Sequence, residues 1–142
     1  EKNKIFLLGC YLAGFEHCLS EEFYLKKINL FAKQNSDSEI YFIPHRNERK
    51  YDKNIFAKNV KINYINKPIE TYLITLPFVP GTFGAFYSMA LINLDIMFKN
   101  FSDIKILNLS FDKDEWKSSY HRKNFEEFEK SFKFTNIKNI NI

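Results

Sequence analysis

Short apolar runs alternate with amphipathic stretches along nearly the whole chain. The run Lys4-Ile-Phe-Leu-Leu-Gly-Cys10 is apolar without alternation and ends at glycine, which predicts a strand covered on both faces. After a loop over residues 11–19, Ser20 stands as an N-cap, with Glu21 and Glu22 in a first turn where the helix dipole favours acids. Tyr24, Leu25, Ile28, Phe31 and Ala32 then recur at helical spacing to about Gln34. A turn cluster at residues 35–38 leads into a second apolar strand, residues 39–43, closed by Pro44. Residues 60–65 alternate as a third strand, and Pro68 opens a short helix. Pro77, Pro80 and Gly81 bracket a fourth extended segment over residues 78–83. A helix is predicted over 86–98, a fifth strand over 104–109 and a final helix over 114–132, with Trp116, Tyr120, Phe125, Phe128 and Phe132 on or near one face. The order of strands and helices predicts a Rossmann-like α/β fold, a parallel sheet with flanking helices. One domain is expected over residues 1–134, followed by a loose, Asn-rich tail over 135–142.

Composition narrows this picture without changing it. With 142 residues the chain suits one core, and only four Gly and four Pro argue against a turn-rich all-β sandwich. The net charge of +4 comes from Lys and Arg spread along the chain, which the plainer reading treats as a solvated surface. A basic patch facing a phosphate ligand or an anionic membrane stays open beside it. No nucleic-acid module pattern occurs, so nucleic acid is not expected as a partner. Cys10 and Cys18 lack zinc-ligand spacing and read as thiols of a cytoplasmic protein. No apolar run approaches a membrane span, and the chain begins with Glu and shows no signal peptide. The expectation is a cytoplasmic location and a fragment with functional residues upstream.

In an open parallel sheet, ligands gather at the carboxyl ends of the strands. The predicted loops there carry Glu16 and His17 after strand one, residues 45–49 after strand two, residues 67–70 after strand three and residues 84–88 after strand four. In Pro44-His45-Arg46, proline fixes the backbone before a histidine able to donate to a phosphate or protonate a leaving group. Arg46 can grip an anion through two parallel hydrogen bonds. An ordinary polar loop is the plainer alternative. Ser88 lies where a helix is expected to begin and suits either anion contact or plain capping. Glu70 suits either a ribose contact or a first-turn acid, and Glu16 either a general base or a solvated carboxylate. His17 and His121 carry no assigned role. No G-x-G-x-x-G, P-loop, nucleophile elbow or metal cluster occurs, which removes weight from dinucleotide oxidoreductases, P-loop NTPases, serine hydrolases and zinc enzymes.

The segment Tyr41-Phe-Ile-Pro-His-Arg-Asn-Glu48 resembles the Tyr-Ile-Pro-His-Arg-x-Glu element of bacterial lipooligosaccharide sialyltransferases, glycosyltransferase family 52. Leu19-Ser-Glu-Glu-Phe-Tyr24, Lys67-Pro68-Ile69-Glu70 and Phe86-Tyr87-Ser88-Met89-Ala90-Leu91 resemble further family elements in the same order, so the likeness spans roughly residues 4–110. It departs from the family at Glu16-His17, where an acidic-Gly pair is usual, and at Met89, where a second hydroxyl residue is usual.

The resemblance implies the C-terminal, donor-binding half of a two-domain GT-B glycosyltransferase, acting on CMP-sialic acid and a cell-surface glycan acceptor. By the same resemblance the reaction inverts configuration and needs no essential metal. His45 would act as general acid or contact the donor phosphate, and Glu16 would be the base. Glu70 would hold the ribose, with Pro44, Arg46, Tyr87 and Ser88 also on the donor. The partners it implies are a nucleotide sugar, a glycan, and an N-terminal domain without which this chain is expected to be inactive. The aromatic last helix would suit that domain or a homodimer. A peripheral site at the cytoplasmic face of the inner membrane is also open. Two other readings remain: a GT-B domain using another nucleotide sugar, and a non-catalytic binding or assembly module.

Overall fold

A computed structural model describes residues 1–11, 19–117 and 119–142, with the backbone alone for residues 113 and 119–121. Six strands form one parallel sheet: β1 (Lys4–Leu8), β2 (Glu39–Ile43), β3 (Val60–Ile62), β4 (Thr82–Ala85), β5 (Lys105–Ser110) and β6 (Lys138–Asn141). Their order is β3-β2-β1-β4-β5-β6. Four helices connect them: α1 (Glu21–Gln34), α2 (Ile69–Ile74), α3 (Ala90–Phe98) and α4 (Ser119–Lys130). The fold is therefore α/β and Rossmann-like, as the pattern of runs predicted.

Side-chain alternation along β1 explains the layers. Ile5 and Leu7 point into a core shared with Tyr24, Ile28 and Phe31 of α1, against which Phe125 and Phe128 of α4 also pack. Phe6 and Leu8 point the other way, onto Ile69 and Leu73 of α2 and Leu91 and Leu94 of α3. Both faces of β1 are dry, which is why its sequence reads as a continuous apolar run. A fully buried leucine such as Leu7 contributes about 1.5–3 kcal/mol of transfer free energy. Helix α1 begins as its sequence predicts, with the Ser20 hydroxyl accepting the Phe23 N–H at 3.1 Å.

Several boundaries differ from expectation. β3 is shorter than expected, Val60–Ile62; the Asn63 N–H still donates to the Phe42 carbonyl at 2.8 Å, and its Nδ2 donates to the Tyr72 hydroxyl at 2.6 Å. β4 lies later than residues 78–83, since Pro80 has no N–H to offer and Gly81 bonds back to the carbonyls of Glu1 and Lys4. Helix α3 starts at Ala90 and not at Phe86, because Tyr87 takes a left-handed backbone, φ 52°. The final helix begins at Ser119, after a separate single turn at Lys113–Glu115 capped by Asp112.

The largest correction is the tail. Residues 138–141, expected to be loose, form edge strand β6 beside β5. Asparagine is a poor strand former, but Asn139 Oδ1 accepts from Asn108 Nδ2 at 3.0 Å, and the Lys27 ammonium donates to the Ile142 carbonyl. These long-range bonds override local composition.

Candidate functional site

The strand order reverses at β1: the chain moves from β1 out to β2 and β3, then returns to place β4 on the other side. The crevice beyond the carboxyl ends of β1 and β4 is the position where such sheets bind ligands. A cavity of ≈ 330 Å³ opens beside it, on the α2 and α3 side. Its floor is apolar, including Leu8, Ile43 and Ile69, and its polar wall is His45, Arg46, Asn66, Lys67 and Ser88. Among the described residues no Asp or Glu lines it, so the charge they bring is wholly positive. Arg46 and Lys67 make no ion pair among the described residues. Two larger hollows, ≈ 580 and ≈ 590 Å³, lie elsewhere: one at the entry ends of β5 and β6, the other along α1 and residues 55–59. Neither gathers a histidine or an arginine, and neither is at the carboxyl ends of the strands.

The β2 wall is built around His45. Pro44 is buried and His45 exposed. Imidazole Nδ1 accepts the Asn47 N–H at 3.2 Å, so the neutral ring carries its proton on Nε2. Tyr11 stacks over the ring at a centroid distance of 6.2 Å. Partial burial pushes the imidazole below its ordinary value, and the Arg46 cation pushes the same way. Near neutral pH the ring is therefore an uncharged Nε2–H donor, suited to an anion without first taking up a proton. Behind the loop, the Glu48 carboxylate accepts the His45 backbone N–H through Oε2 and the Tyr51 hydroxyl through Oε1 at 3.1 Å. Burial pushes this carboxyl above its usual range, although its hydrogen bonds pull the other way.

The β4 wall is held differently. Asn108 of β5 is 0% exposed, and its Oδ1 accepts the Tyr87 N–H at 2.9 Å. That bond steadies a left-handed residue, a conformation costing about 1–2 kcal/mol outside glycine. The turn sends the Tyr87 ring away from the cavity, among Phe111, Trp116 and Phe125, where its hydroxyl accepts the Phe111 N–H at 3.3 Å. Burial raises the phenol pKa further. The next residue, Ser88, does line the cavity. Its Oγ accepts the Ala90 N–H at 3.2 Å, which leaves the hydroxyl proton to donate.

The structure thus brings Pro44, His45, Arg46 and Ser88 together and leaves Tyr87 and Glu70 outside the lining. The Glu70 carboxylate accepts from Asn93 Nδ2 at 2.7 Å and ties α2 to α3. Glu16, His17 and Cys18 lie outside the described residues, as does the side chain of His121. Lys67 and Asn66 were the polar residues to choose after β3, and a search for cations beside a strand end would have favoured Lys67 over Glu70. Asn108 carried no such signal beyond being a polar residue inside an apolar strand. No helix among the described residues is long and apolar enough to cross a membrane. The chain matches no protein-family model, no curated protein and no solved structure.

Proposed function

We propose that this chain is the donor-binding part of an inverting sialyltransferase of the GT-B type, its cavity taking the nucleotide portion of CMP-sialic acid. The observation that carries the reading is a cavity beside the switch point of a Rossmann-like sheet whose charged lining, among the described residues, is cationic, with the Pro-His-Arg segment on its wall. At ≈ 330 Å³ the cavity is near the lower end of small-ligand sites, which suits a nucleotide with its sugar directed outward.

In the transfer, an acceptor hydroxyl oxygen bonds to the anomeric carbon while the bond from that carbon to the CMP phosphate oxygen breaks. The electron pair leaves with CMP. His45 Nε2–H, the Ser88 hydroxyl, Arg46 and Lys67 receive the growing phosphate charge, the kind of help worth a few kcal/mol per donor. The neutral tautomer favours His45 as a phosphate contact over His45 as general acid. The acceptor proton passes to a carboxylate, for which Glu16 is the candidate. The glycan and the remaining catalytic groups belong to a partner domain, and a cytoplasmic site near the inner membrane fits the acceptor.

Calorimetric titration of the chain with CMP, UDP and GDP tests the donor. Saturable binding that prefers CMP is expected. Preference for UDP or GDP would favour a different glycosyltransferase, and no binding of any nucleotide would favour a non-catalytic module.

A further inference from the structure

We infer that Glu48 and Gly9 form a lock that positions His45 from behind the cavity. The lock begins with a turn closed twice. The Glu48 N–H donates to the His45 carbonyl at 2.8 Å, and the Glu48 carboxylate accepts the His45 N–H in return. Residues 45–48 are thereby held as one rigid unit, with the imidazole on its cavity side. The carboxylate is anchored in turn by the Tyr51 hydroxyl, with Tyr24, a fully buried residue of α1, as an electrostatic neighbour.

Gly9 makes the reach of Glu48 feasible. A Cβ at residue 9 would lie 2.1 Å from Glu48 Oε2, 2.7 Å from His45 N and 2.9 Å from the Pro44 Cα. The space a side chain would fill is therefore occupied by the carboxylate and the His45 backbone. In dinucleotide folds, a glycine at the end of the first strand lets the ligand come close. Here the chain's own carboxylate occupies that approach. The Gly9 N–H also donates to the Ile43 carbonyl at 2.7 Å, which joins the ends of β1 and β2 under the loop. Sequence patterning places Gly9 and Glu48 39 residues apart, so only the parallel β1–β2 register unites them.

Glu48 does not line the cavity, so its effect on a ligand runs through His45. The use of CMP as a probe rests on the proposed function, whereas the His45 resonances do not. The experiment is NMR of the full chain labelled with ¹⁵N-histidine, for wild type, Glu48→Ala, Glu48→Gln and Gly9→Ala, with and without CMP. In Glu48→Ala the His45 amide should move upfield on losing its acceptor, the imidazole pH titration should shift, and CMP affinity should fall about tenfold, as for a lost charge-assisted bond. Glu48→Gln keeps an acceptor and should restore both resonances and binding to within a few-fold. Gly9→Ala, with Glu48 intact, should displace the same His45 amide. A folded Glu48→Ala protein with unmoved His45 amide and imidazole titration would overturn the lock, as would a Gln variant no better than Ala. Wild type without CMP binding would overturn the nucleotide reading, while the His45 resonances would still decide the lock.

Discussion

The two walls of the cavity are held by different physics. On the β2 side a carboxylate, Glu48, closes an exposed loop, with Tyr24 and Tyr51 behind it. On the β4 side a neutral amide, Asn108, sits at 0% exposure inside the sheet and holds a left-handed Tyr87. A buried amide can be satisfied on both of its ends without charge, as Asn108 is by Tyr87 and Asn139. A carboxylate in the same place would pay a far larger desolvation cost. In the loop beyond the carboxyl end of β2 a charge is tolerable and gives a stronger, shorter bond. The β4 wall should therefore be coupled to global stability and the β2 wall to ligand geometry.

The largest effect expected from this division is in Asn108→Leu. The substitution roughly preserves size but leaves the Tyr87 N–H buried with no acceptor, and it removes the side-chain bond from Asn108 to Asn139 that reinforces the β5–β6 pairing. A loss of about 2–3 kcal/mol is expected in urea unfolding, with Ser88 displaced and β6 loosened. A loss below about 0.5 kcal/mol would mean that the β4 wall is not fixed by this amide.

His45→Ala comes next and should act on the other property. The ring is exposed, and its contacts are the Tyr11 stack and the Asn47 N–H at a loop surface, so stability should change little. CMP affinity should fall about tenfold, or about 1.4 kcal/mol, for the loss of one donor to a charged group. A change in unfolding midpoint as large as that of Asn108→Leu would erase the distinction between the walls.

These two residues also mark what was readable in the sequence. His45 was readable because proline, histidine and arginine fall together at the end of a strand whose apolar run is unmistakable. The run fixed the strand, and the strand fixed the loop. Asn108 was not, because its meaning depends on Tyr87, 21 positions earlier, and on Asn139, 31 positions later. The β6 strand failed for the same reason: its residues are exposed and asparagine-rich, and long-range bonds hold it to β5. Tyr87 misled the reading of the site because a serine and a tyrosine side by side were both placed at a helix start. One left-handed residue sends them to opposite sides of the sheet.

The pH dependence of binding is a smaller effect. Burial and Arg46 lower the His45 pKa, and a bound phosphate would raise it. Binding therefore takes up proton at His45, and CMP affinity should rise as pH falls through the histidine range. The nucleotide phosphate itself titrates near pH 6, so the quantity to read is the difference between wild type and His45→Ala. That difference should be larger at pH 5.5 than at pH 8. Parallel curves would remove His45 from the phosphate.

The smallest effect expected is on stability in Glu48→Gln, and it separates the walls most directly. The carboxylate faces the hydroxyls of Tyr24 and Tyr51, the carboxylate of Glu21 and the His45 backbone. Burial is the leading influence and raises its folded pKa above the ordinary 4.5. The folded protein then holds the proton more tightly than the unfolded chain does. Stability from this group is thus fully present below the ordinary value and declines as pH rises through the folded value. Glutamine has no proton to lose, so the variant should escape that decline: wild type and Glu48→Gln should diverge in denaturation midpoint between pH 4 and 7, with wild type falling relative to the variant. Asn108 has no titrating group, and stability held by the β4 wall should show no matching slope. If the Glu48→Gln curve instead runs parallel to wild type, the carboxylate is not under strain from burial. If it diverges as expected while CMP binding stays near wild type, geometry and not charge is what the β2 wall supplies to His45.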